Sequence, residues 1–79
     1  MTNAGHHVYV LIEEPETVVL GVYRNLDDAK AYVSGPSLVW TQVHDGLRAP
    51  DAHEVHEGRY DHHGHLGYVR YCITKERIL

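Results

Sequence analysis

Seventy-nine residues leave room for one hydrophobic core and no second, and a 43% apolar content is too high for a chain that stays disordered. The single cysteine, Cys72, excludes an internal disulfide, so a core that rarely supplies more than about 3–5 kcal/mol has only a metal, a partner chain or close packing to support it. A formal charge of −4 disfavours phosphate backbones as partners, although eight histidines would carry that balance toward zero near pH 6.

Residues 1–7 lack the basic start of a secretory leader, and the apolar run from Val8 to Ile12 is too short to serve as its core. No stretch nears the roughly 18 apolar residues that cross a bilayer. With one cysteine besides, the expected location is the cytoplasm.

Val8-Tyr9-Val10-Leu11-Ile12 is β-branched and aromatic, a strand signal. Glu13-Glu14-Pro15-Glu16 then turns the chain, because Pro15 cannot donate to a ladder. Thr17 to Tyr23 returns as a second strand, antiparallel to the first since the link is too short for a crossover. Asn25 is suited to cap a helix, and Asp27 and Asp28 sit where the helix dipole favours carboxylates. Leu26, Ala29 and Val33, with Tyr32 beside them, mark one helical face. Gly35-Pro36 stops that helix at about Ser34. So short a helix depends on docking to a sheet.

Leu38 to Val43 predicts a third strand, ended by Asp45-Gly46. Gly46 to His65 is polar, holds five histidines and has no sustained period. A loop of that length is unusual in a compact domain; it carries either a short strand near His53 to Glu57 or a mobile excursion. Tyr68 to Thr74 predicts the last strand, with Val69, Tyr71 and Ile73 on one face and Tyr68, Arg70 and Cys72 on the other. The expected architecture is therefore one α+β domain spanning 1–79, with about four antiparallel strands, one helix on one face and the order β-β-α-β-(long loop)-β.

One helix covers one sheet face. If Val8, Val10, Ile12, Val18, Leu20 and Val22 meet it, then Tyr9, Leu11, Val19 and Tyr23 face away, and Trp40 fits either set. Such a face is half-covered by the long loop or is an interface anchored by Tyr and Trp; the alternation leaves both open.

The histidines are the other candidate. His53, His56, His63 and His65 supply imidazoles of the kind that ligate zinc or nickel. No thiolate stands near them, and His53-Glu54-Val55-His56 is one residue too short for the metalloprotease motif H-E-x-x-H. A solvated histidine-rich loop explains the same residues. Cys72 reads as a packed strand residue rather than a nucleophile, and the acids at 13–16 and 27–28 have ordinary work in a turn and a helix start. Phosphate-cradling glycine loops and Ser–His–Asp spacings are missing, so nothing argues for an enzyme.

The run Val8 to Leu11, Leu20-Gly21-Val22-Tyr23-Arg24-Asn25-Leu26 through Val33, then Trp40 and Tyr71-Cys72-Ile73, resembles a group of small proteins of unknown function from actinobacteria and their bacteriophages. The resemblance implies a compact accessory protein of a phage or bacterium, with no catalytic residue to carry over, and it omits Gly46 to His65. The expected function is a non-enzymatic protein-interaction module, a homodimer or a binder of a host protein, contacting through Tyr9, Leu11, Val19, Tyr23 and Trp40. The alternative is a small metal-binding protein using the loop histidines. An RNA-binding aromatic sheet ranks last, for want of its glycine–aromatic signature and of positive charge.

Overall fold

A computed structural model describes residues 6–43 and 54–78. Strand β1 (His7–Glu13) turns through Glu14–Thr17 into β2 (Val18–Tyr23), followed by helix α1 (Leu26–Tyr32) and β3 (Leu38–Val43). Strand β4 (Val55–His62) then hairpins into the two-residue β5 (His65–Leu66), and β6 (Tyr71–Arg77) closes the described chain. The strands pair in the order β2-β1-β6-β4-β3, antiparallel throughout, with β5 on the end of β4.

The expectation of about four strands is corrected by this arrangement. Six strands make one sheet, with 57% of the described residues in strand and 11% in helix. The missing strands lay in the histidine-rich stretch, where β4 holds a central place between β6 and β3. The final strand also begins three residues later than its β-branched pattern implies, because Gly67 to Arg70 forms a bend. There Arg70 N–H donates to Gly58 O at 2.8 Å and Glu14 N–H donates to Arg70 O at 2.8 Å.

The sequence allowed only a short strand near His53 to Glu57 as one of two options, and the full length of β4 was hidden because its polar residues satisfy one another at a spacing of two. Glu54 and His56 share one face, and Glu57 and Arg59 share the other. His56 Nε2 donates to Glu54 Oε2 at 2.5 Å, and Arg59 Nη2 donates to Glu57 Oε1 at 3.2 Å. A strand buried at the centre of a sheet can hold these groups only because each has a partner.

Residues paired across antiparallel strands lie on one face, so the registers assemble two sets of rows. One face carries Gly21, Leu11, Ile73, His56 and Gln42 in a line, beside Tyr23, Tyr9 and Lys75. Helix α1 packs here: Leu11, Ala29 and Ile73 are fully buried, with Tyr9, Leu20, Tyr23, Leu26, Val33, Trp40 and Tyr71 around them. The second face carries Val22, Val10, Thr74, Val55 and Val43, beside Val19, Ile12, Cys72, Glu57 and Thr41. Val55 and Cys72 are its buried centre, with Ile12 and Val43 against them.

Two glycines on the helix face make room for aromatic rings. A Cβ at Gly58 would sit 3.0 Å from the Trp40 ring, its cross-strand neighbour, and one at Gly21 would sit 2.7 Å from the Tyr23 hydroxyl. Leu11 pairs with Gly21 but Ile12 pairs with Val19, so Leu20 is the extra residue of a β-bulge in β2. That bulge lets Leu20 join the helix-side core.

Candidate functional site

Sequence alternation separated the two faces of β1 and set the helix against the wrong one. In β2 the bulge leaves Val18 and Leu20 on the helix side and Val19 on the other, as expected, and reverses Val22 and Tyr23. Tyr9, Leu11 and Tyr23 lie on the helix side, as does Trp40, so the interface expected at these residues is corrected. Leu11 is completely buried opposite Gly21, where the absent side chain leaves room for the Tyr23 ring. Tyr23 folds over Gly21 and meets Tyr32 at a centroid distance of 6.3 Å. Trp40 lies over Gly58 with Lys30 Nζ 5.9 Å from its ring. Of the five expected interface residues, only Val19 lies on the second face, and it is 58% exposed.

Among the described residues, exposed large apolar side chains gather at the β2 margin and occur elsewhere at Val39, Leu66, Tyr68 and Ile78. Val18 is 47% exposed, Val22 58% and Tyr32, in the last turn of α1, 63%. β2 ends the strand order, so its outer edge is paired to no described strand. Edge strands ordinarily carry charge or proline, which discourages further pairing. Val18-Val19-Leu20-Gly21-Val22-Tyr23 carries neither, and only the bulge at Leu20 interrupts it. Val18, Val22 and Tyr32 were missed because the helix had been set against the valines. The signal that could have found them is Gly21, which belongs on the face where something approaches closely.

Of the expected metal ligands, His53 lies outside the described residues. His56 is buried on the helix face and bonded to Glu54. His63 is exposed in the β4–β5 turn, where its φ of 54° and the 86° of Gly64 form the two-residue hairpin link, and His65 is exposed in β5. Six residues of extended strand separate His56 from His62, roughly 20 Å, so the structure does not bring His56 to His63 and His65. Among the described residues no group of three or more His, Cys, Asp or Glu side chains is placed to hold a metal ion.

Glu54, His56 and Lys75 stand together on the helix face. Lys75 Nζ lies 3.6 Å from Glu54 Oε1 and 5.8 Å from the Tyr9 ring. The hydrogen bond from His56 holds the Glu54 carboxyl below the usual carboxylate range; partial burial opposes this, and the charges of His56 and Lys75 add to it. On the second face, Arg59 Nη1 also donates to Gly67 O at 3.0 Å, tying the β4 pair to the bend before β6. An open cleft of about 350 Å³ lies at the start of β1, lined by His6, His7, Val8, Arg24 and Ile78. No described helix is long and apolar enough to cross a membrane.

The chain matches no protein-family model, no curated protein and no solved structure.

Proposed function

We propose that this protein is a non-enzymatic interaction module whose contact surface is the free margin of the sheet along β2. The observation that carries the reading is the run of exposed valines, Val18, Val19 and Val22, on a strand whose outer edge meets no described strand and which lacks charge and proline. A chain this small gains about 25 cal/mol for each Å² of apolar surface removed from water. Its fully buried apolar side chains among the described residues are Leu11, Ala29, Val55, Cys72 and Ile73. Leaving the β2 valines in water forgoes stabilisation that so small a core scarcely spares. A cytoplasmic setting, and the role of accessory protein in a phage or bacterium, belong to the same proposal.

The test compares proteins captured from source-cell lysate by the wild type, by Val19→Lys and Val22→Lys, and by Val39→Lys on the opposite edge. All three substitutions fall at exposed positions outside the buried core, and a thermal melt verifies that each variant folds. A species retained by the wild type and Val39→Lys but lost with both β2 variants supports the reading. An identical set from every variant removes it.

A further inference from the structure

We infer that the occupant of the β2 edge is an extended segment of another protein, apolar at its centre and flanked by lysine or arginine, which adds to the sheet as a further strand. This rests on the proposed interaction surface and names its partner. Strand addition draws its affinity from main-chain hydrogen bonds and its selectivity from alternate side chains. β2 offers both. Val19 and Val22 stand exposed on the second face, while on the other Tyr23 and Tyr32 form a ring pair beside the same edge. An added strand would lay successive side chains against the valines and the tyrosines in turn.

Charge decides the flanks. Glu13, Glu14 and Glu16 surround the turn that opens β2, with Arg70 beside it. Asp27 and Asp28 follow its end together with Arg24 and Lys30, so acids outnumber bases five to three. The apolar edge is therefore bracketed by acids, and basic residues at both ends of an incoming segment complement it. A second copy fits less well. A two-fold pairing of β2 with itself sets the opening end of one strand beside the closing end of the other. The glutamates of one turn would then face the aspartates of the partner. The bulge at Leu20 also bends the edge, and a flexible segment follows a bend that an identical folded edge would not match.

The test uses synthetic peptides and the full chain. Lys-Lys-Val-Thr-Val-Thr-Val-Lys-Lys is compared with the same core flanked by glutamates, and with the basic peptide N-methylated at alternate amides. Anisotropy gives affinity, and amide hydrogen exchange locates the contact. The expected result is saturable binding of the basic peptide, weakened by salt, with exchange slowed in Val18–Tyr23. The glutamate-flanked and N-methylated peptides, and the Val22→Lys protein with the basic peptide, should each bind at least about tenfold more weakly. Equal binding of the glutamate-flanked or N-methylated peptide, protection at β3 instead, or a wild-type dimer that occludes β2 at about pH 8 would each overturn the inference. If Val19→Lys and Val22→Lys lose the captured species while no peptide binds, the interaction surface stands and the basic strand falls.

Discussion

Asn25 performs at atomic scale what its residue type allows. Its backbone is extended at φ −136° and ψ 159°, its side-chain oxygen accepts from Asp28 N–H at 2.9 Å, and its amide donates to Asp28 Oδ2 at 3.1 Å. The cap and the third helical residue thus hold each other, with the Asn25 side chain supplying both the acceptor and a second, donating contact. In a helix of seven residues one cap is a large share of the local stability. Asn25→Ala should cost about 1 kcal/mol, read as a lowered urea midpoint. Glu54 allows a second prediction. Its carboxyl is held below the usual range in the folded protein, so it adds stability above the pKa of the unfolded chain. That contribution is lost as pH falls through the depressed folded value. Below about pH 5 the urea midpoint of the wild type should therefore fall more steeply than that of Glu54→Gln. Parallel acid limbs for the two proteins would remove Glu54 from the account.

At the scale of elements, the β1–β2 hairpin, the helix and β3 were legible because each rests on short-range chemistry: β-branched runs, a proline-bearing turn, a cap and a Gly-Pro stop. β4 was not. Its residues Val55-His56-Glu57-Gly58-Arg59-Tyr60-Asp61-His62 look like a polar loop until Glu54 with His56 and Glu57 with Arg59 are read as pairs two apart. That period-two complementarity of charge was visible in the sequence; what it lacked was any apolar alternation beside it. The choice of face was illegible for another reason. Alternation defines two faces and does not say which the helix covers, and the deciding residues, Gly21 and Gly58, act by what they lack. Gly58 also gives this scale its prediction. Its Cβ would press on the Trp40 ring at 3.0 Å, between two strands that cannot easily part. Gly58→Ala should destabilise by about 1–3 kcal/mol and shift the emission of the chain's one tryptophan. Unaltered emission with unaltered stability would show that the ring moves aside freely.

Across the whole molecule, the β2 edge and the net charge act against each other. An unpaired apolar edge invites association between copies, while a charge of −4 at neutral pH and acids at both ends of that edge oppose it. Imidazoles ordinarily titrate between about pH 5 and 8, and the sequence pI is about 6.0. Lowering the pH toward 6 therefore brings the net charge toward zero, which weakens the repulsion between whole molecules and leaves the valines as they were. The expected result is a monomer of 9.0 kDa in sedimentation at about pH 8 and low micromolar concentration, with a larger average mass at about pH 6. Added salt at pH 8 should shift the mass the same way, since screening weakens exposed like charges over about 10 Å at 0.1 M. Val22→Lys should stay monomeric at both pH values, because a lysine on the edge places charge where the strand has none. An equal rise in the mass of Val22→Lys at pH 6 would locate the association elsewhere, and a wild-type dimer already complete at pH 8 would show that the acids do not keep copies apart.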